Sequence, residues 1–348
     1  MSVSLFVLSL RQRLDHVRGA MLAFPHVTGV GLGWKEQAGR ITDVTAWRVY
    51  VKRKLSRADL PAAHTIPAYY AGLPTDVITS SSAISAAAPK LTPSMAFRPG
   101  MTLSNLHGIM QEQAVSPNTS GLGTLGFLAL VNGIRRREIV LVSNRHVLLA
   151  HGAAPGDPIY APRFSRSGET CVIRASALEP IARVVDDGAE ENHPYRYDGA
   201  PEEYFVDCAS ARLLTELPDH QSFLSPDPPQ VRVRRVSRLH PLDVLGQRSP
   251  RVSKIGSSTG VTFGRVVDVA APVENSPGPT RQNNIMIRGA EGPFVMPGDS
   301  GALVLNEHDE AIGLVWGRND VDPAIAYACH IHPVLDRLGV TLMSGGLS

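Results

Sequence analysis

From Gly121 to about Ala328 the chain is a succession of short, apolar, β-prone runs punctuated by Gly, Pro, Asn and Asp, with no helical pattern between them. Runs this short bury a face only by pairing with one another. Without crossover helices a parallel sheet is excluded, so antiparallel strands closing into barrels are expected. Gly121–Val131, a turn at Asn132-Gly133 and Glu138–Val142 read as a hairpin, and Val252–Val267 as a second. Asp157–Tyr160, Ile181–Val185, Phe205–Leu214, Ile285–Ile287 and Ala311–Gly317 supply further strands. Residues 186–201 read as a polar, acidic loop, and His332–Leu338 as a C-terminal helix.

Ahead of this region the texture differs. Leu5, Leu8, Leu14, Val17, Met21 and Leu22 fall at roughly helical spacing. The basic residues Arg11 and Arg13 follow the apolar start instead of preceding it, so the segment reads as a helix and not as a signal peptide. Thr28–Trp34 reads as a glycine-rich strand. Its alternating Gly29, Gly31 and Gly33 do not match a phosphate-binding fingerprint. Thr45–Lys52 alternates as a strand should. Residues 1–80 therefore read as a small α+β module and 81–100, rich in Ser, Ala and Pro, as a linker. The module is open to three roles: inhibitory prodomain, partner-docking unit or structural buttress. Residues 101–217 and 231–348 read as two β halves, joined through the proline-rich 218–230.

The chemistry gathers at Met296–Leu305, where a Pro-Gly-Asp turn presents Ser300 ahead of an apolar strand. A serine hydroxyl becomes a nucleophile only with a base to take its proton and N–H donors for the oxyanion. The run Ile139–Leu148 delivers His146 from a strand end, and Tyr204–Leu213 buries Asp207 among apolar neighbours. His151 lies beyond the strand, in a Gly/Ala/Pro loop. Asp186, Asp187 and Asp198 lie in polar sequence where solvated carboxylates are ordinary.

In the order His146, Asp207, Ser300, with Gly298-Asp299-Ser300-Gly301 around the serine and Ser143-Asn144-Arg145-His146-Val147 at the histidine, the chain resembles the trypsin/chymotrypsin-like serine peptidases over roughly residues 100–340. The run from Lys254 to Val266, Lys-x-Gly-x-x-Thr-Gly-x-Thr-x-Gly-x-Val, resembles a segment of the bacterial members. The resemblance implies a mainly β chain with two antiparallel six-stranded β-barrels. It also implies an endopeptidase in which Ser300 attacks, His146 shuttles the proton and Asp207 orients the imidazole. Gly298 and Ser300 would supply oxyanion N–H groups, with no metal or cofactor. It places Phe294 at the base of the primary pocket, where the lack of an aspartate points to a small or apolar preferred residue. Val315, Trp316 and Gly317 would form the substrate-pairing strand. Relatives activated by cleavage seat a new N-terminus beside the aspartate that precedes the serine. This chain has no obvious activation site, which points to an internal partner for Asp299.

Composition limits the partners. Net charge is +2 among 348 residues, so no general attraction to nucleic acid or acidic membranes is expected. Arg232, Arg234, Arg235, Arg238, Arg248, Arg251, Lys254 and Arg265 lack interleaved aromatics and read as a solvated face or interdomain contact. No apolar run is long enough to span a membrane. Cys171, Cys208 and Cys329 form no disulfide or metal spacing, so a cytoplasmic protein is expected. A protein or peptide substrate, few targets and a regulatory role, in signalling or phage defence, fit this picture, with a regulatory partner at the N-terminal module left open. The alternative is a catalytically silent barrel scaffold that binds proteins.

Overall fold

A computed structural model describes residues 13–14, 16–37, 40–55, 60–61, 64–79, 83–84, 100–105, 122–133, 138–161, 164–167, 170–173, 180–214, 233–244, 249–275 and 277–343. Residues 3–12 of the expected first helix lie outside these. Residues 13–14 and 16–21 are helical (α1), and the spacing of Leu14, Val17 and Met21 puts all three in the core. They pack on Val30, Leu32, Trp47 and Val49. These belong to β1 (Val27–Gln37) and β2 (Arg40–Val51), which pair antiparallel. With β3 (Tyr69–Tyr70) and β4 (Leu73–Thr79), which runs parallel to β2, they form a sheet in the order β1-β2-β4-β3. A short strand, β5 (Ala83–Ile84), follows within the stretch read as linker.

The next part begins with β6 (Thr102–Ser104) paired to β7 (Leu122–Thr124) and the hairpin β8 (Phe127–Val131) with β9 (Ile139–Ser143). A short helix, α2 (Arg145–Leu148), leads to β10 (Pro158–Ile159) and to the pair β11 (Phe164–Ser167) and β12 (Thr170–Ile173). Then come β13 (Ala182–Val184), β14 (Ala189–Tyr195) and β15 (Glu202–Leu213). The sheet runs β10-β13-β15-β9-β8 over a core that includes Leu103, Leu128, Leu141, Leu148, Ile159 and Ala209. The expectation of a loop over 186–201 is corrected here: Ala189–Tyr195 pairs along its length with Glu202–Cys208. Its side chains are mostly polar and partly or fully exposed, and besides its main-chain bonds Glu190 pairs with Arg281 and Asn192 bonds to Thr280 and Gln282, so no apolar alternation marks it.

The closing part comprises β16 (Arg251–Gly256), β17 (Gly260–Val273), β18 (Arg281–Gly289), β19 (Leu303–Asn306), β20 (Ala311–Asn319) and β21 (Ile325–His330). Their order is β19-β16-β17-β18-β21-β20, and β20 pairs back onto β19, which closes a six-stranded barrel. Val252, Val266, Ile285, Ile287, Val304 and Ile312 are among the residues filling it. The short β5 adds to the edge of β20, Ile84 opposite Arg318. Helix α3 (Ile331–Leu338) stops at Gly339 in the left-handed conformation (φ 61°). The final strand, β22 (Val340–Leu342), returns to pair with β8. Between the halves lies a third core with Phe127, Phe205, Trp316, Tyr327 and Val334.

The alternating glycines of β1 are explained by close packing on the barrel. A Cβ on Gly29 would lie 2.2 Å from Pro272 Cγ, and one on Gly31 would lie 2.6 Å from Asp268 Oδ2. Tyr50 donates to Asp268 across the same junction, and Arg48 Nη1 donates to Val267 O at 3.2 Å. Of the basic stretch, Arg235 pairs with Glu310 (2.5 Å), Arg238 with Asp198, and Arg234 approaches Asp309 at 4.0 Å. Arg232 and Arg248 lie outside the described residues. Cys208 and Cys329 are buried free thiols. Among the described residues no helix is long and apolar enough to cross a membrane.

Candidate active site

The buried run of β9 ends at Asn144, whose extended backbone (φ −71°, ψ 151°) starts α2 and puts His146 on that helix. In the neighbouring strand Ala209 stands opposite Ser143, which carries Asp207 alongside Arg145 and His146. Asp207 is 1% exposed and fully engaged. Its Oδ1 accepts from Arg145 N–H at 2.7 Å and from His146 N–H at 3.3 Å, and its Oδ2 faces His146 Nδ1. Its carbonyl accepts from Asn144 Nδ2 at 2.7 Å, and its N–H donates to Cys329 Sγ at 3.2 Å. Held this way the imidazole carries its proton on Nδ1, leaving Nε2 as the acceptor. Burial pulls the His146 pKa down. The charge and hydrogen bond of Asp207, with a smaller part from Glu190, outweigh it and raise the pKa above the ordinary histidine value.

Ser300 follows a tight turn in which Asp299 N–H donates to Met296 O at 3.0 Å and Gly298 has φ 98°. The turn is gripped by the segment after β16. Asp299 Oδ2 accepts from Lys254 Nζ at 3.0 Å and Thr259 Oγ1 at 2.8 Å, and its Oδ1 accepts from the N–H groups of Ser258 (2.9 Å) and Thr259 (3.2 Å). Lys254 and Asp299 side chains are both completely buried, and burial lowers the Lys254 pKa against the opposing pull of Asp299. Gly298 O accepts from Thr124 Oγ1 and Ser257 Oγ, each at 2.7 Å. Pro297 O accepts from Ser258 Oγ.

The two ends meet across β7. Thr124 N–H donates to Ser300 O at 2.7 Å. A Cβ on Gly123 would fall 2.6 Å from Val147 Cγ1 and 2.9 Å from Ser300 O, so this glycine lies between the histidine's neighbour and the serine. A Cβ on Gly301 would fall 2.2 Å from Ser143 Oγ. Ser300 Oγ and His146 Nε2 are both buried, and neither has a hydrogen-bond partner, the other included. Among the described residues the N–H groups of Gly298 and Ser300 also have no acceptor.

Phe294 is completely buried in the core of the closed barrel, its ring 5.9 Å from Lys254 Nζ. Val315 and Trp316 are 1% exposed. Val315 O accepts from Gly301 N–H at 2.8 Å and its N–H donates to Ala302 O at 2.9 Å, so its main chain ties β20 to the serine turn. Trp316 packs on Phe205 and donates to Asn284 Oδ1 at 3.0 Å. Gly317 continues β20 opposite Tyr327. The rival His151 is exposed, with φ 55°, and Asp187 and Asp198 are exposed as well. Lys254, read with the basic stretch as a solvated face or interdomain contact, is instead completely buried against Asp299, and sequence reasoning gave no role to Ser257, Ser258, Thr259 or Thr124. The Lys254–Val266 pattern was the visible signal for Lys254 and Thr259; Ser257 and Ser258 fall at its unspecified positions, and Thr124 had no signal. Among the described residues no group of three or more His, Cys, Asp or Glu is arranged to hold a metal ion.

No family model matches the sequence, and no curated protein does. Solved structures do match, and they are bacterial trypsin/chymotrypsin-like serine proteases. Thermobifida fusca Protease A is 14% identical, covering 72% of this chain and 100% of that one, with a TM-score of 0.43. Nocardiopsis protease is 16% identical, over 70% and 97%, also with a TM-score of 0.43. Cellulomonas bogoriensis chymotrypsin is 16% identical, over 71% and 98%, with a TM-score of 0.39.

Proposed function

We propose that this chain is a serine endopeptidase that cleaves protein substrates through an acyl-enzyme formed on Ser300. Ser300 Oγ attacks the peptide carbonyl while His146 Nε2 takes its proton. The N–H groups of Gly298 and Ser300 receive the oxyanion. His146 then protonates the leaving amine, and a water attacks the acyl-enzyme by the reverse path. Asp207 keeps the imidazole in the acceptor tautomer and stabilises its charged form. One oxyanion donor contributes about 2.7–4 kcal/mol to such a barrier. One observation carries the proposal: an imidazole held by a buried carboxylate keeps Nε2 unpartnered, a buried serine hydroxyl is unpartnered too, and Gly123 lies between Ser300 and Val147, the neighbour of His146. The proposal includes few targets, a regulatory role and a cytoplasmic setting, the last supported by the buried free thiols of Cys208 and Cys329.

A second reading, a silent scaffold that binds proteins, draws on the missing bond between Ser300 Oγ and His146 Nε2. Catalytic hydrogen bonds are often long in unliganded enzymes and tighten with substrate, which favours the enzyme. A fluorophosphonate probe separates the two. Labelling of the full chain that disappears in Ser300→Ala and His146→Ala is the expected result. A folded wild-type chain that takes no label would leave the scaffold.

A further inference from the structure

The oxyanion site depends on the orientation of one peptide. In the turn Met296-Pro297-Gly298-Asp299, closed by Asp299 N–H on Met296 O, proline takes the second position and a glycine with φ 98° the third. That is the signature of a type II turn. Type I differs by rotation of the central peptide, here Pro297–Gly298, and glycine tolerates either form. In a trans peptide the C=O and N–H point in opposite directions. The Pro297 carbonyl therefore decides where the Gly298 N–H aims. In the rotated turn a carbonyl oxygen would face the developing oxyanion in place of a donor.

We infer that the hydroxyl of Ser258 is a positioning group that holds the Pro297–Gly298 peptide with its N–H turned toward the oxyanion. This rests on the serine-peptidase reading above. Ser258 Oγ donates to Pro297 O, on the edge of the peptide opposite the Gly298 N–H. The adjoining peptide is braced separately, its Gly298 carbonyl between Thr124 Oγ1 and Ser257 Oγ. Ser258 meets Asp299 through its main-chain N–H at 2.9 Å. Removing only the hydroxyl therefore leaves the main-chain bond from Ser258 to Asp299 in place and takes the donor away from the Pro297 carbonyl.

The test uses the full chain, p-nitrophenyl acetate as acyl donor, and Ser258→Ala beside Ser258→Thr. In Ser258→Ala the acylation rate constant should fall about tenfold, short of the ~10²–10³ lost when a donor is removed outright. KM, Tm and the pH midpoint of the rate should hold. Ser258→Thr, which restores a hydroxyl, should recover most of the rate. Acylation by Ser258→Ala at the wild-type rate would overturn the inference, as would Ser258→Thr remaining as slow as alanine or a change confined to KM. A wild-type chain that neither acylates nor takes a fluorophosphonate would sink the peptidase reading itself. An active wild type with an indifferent Ser258→Ala sinks only the role of the hydroxyl.

Discussion

Asp207 spends both carboxylate oxygens on the segment that carries His146, and this sets the proton position and the charge state of the ring. Because the His146 pKa is raised, the imidazole is protonated, and useless as a base, until the pH exceeds its ordinary 6.5. The fluorophosphonate labelling rate should therefore rise with pH through a midpoint above that value. Asp207→Asn should move the midpoint down and cut the rate by about 10⁴, since an amide no longer enforces the acceptor tautomer. The same shift enters stability with a definite sign. A folded-state pKa above the unfolded one stabilises the fold below the unfolded pKa, and that contribution is lost as pH rises through the folded value. Thermal unfolding followed from about pH 5 to 8 should show this decline in the wild type and a flatter profile in Asp207→Asn.

The segment from β16 into β17 works as one device, with Lys254 within the strand and Ser257, Ser258 and Thr259 in the turn after it, all directed at residues 297–299. Lys254→Met would leave Asp299 as a buried charge with its cation gone, a loss of about 3–5 kcal/mol. Adding Asp299→Asn should restore part of that stability without restoring acylation, as chemical denaturation and p-nitrophenyl acetate turnover would show. Equal stability of Lys254→Met and wild type would remove the pair from its structural role. The motif was visible in the sequence, but its purpose was not, because local spacing does not reveal that Lys254 reaches Asp299. By contrast β14 left no local trace, since it pairs with β15 and its polar side chains bond to distant residues such as Thr280, Arg281 and Asp336, with no apolar alternation of its own.

Over the whole molecule the N-terminal sheet lies directly on the closed barrel, with the glycine face of β1 against β17 and the Arg48, Tyr50 and Asp268 side chains at the junction. Gly29→Ala drives a Cβ into the ring of Pro272 and should cost about 1–3 kcal/mol. It should also speed limited proteolysis between module and barrel. An unchanged Tm together with an unchanged digestion pattern would mean that this contact does not hold the module. The chain end is shared as well: β22 leaves α3 and joins the sheet of β8 and β9, so the halves are linked by their last strand in addition to the core between them.

Taken alone, the sequence determined the short-strand architecture and marked the candidate reactive residues, because both leave local marks. Strand-length apolar runs between turn residues report burial on a period of two. An aspartate among Val206, Cys208 and Ala209, or a serine after Pro-Gly-Asp, stands out against its own flanks. Tertiary structure alone decided that Lys254 pairs with Asp299, that the Ser258 hydroxyl meets the Pro297 carbonyl, that Phe294 fills the barrel core, and that three alternating glycines serve a packed interface. Each of these joins residues far apart in the chain. Such pairings follow from strand register and barrel closure, which the spacing of neighbouring residues does not encode.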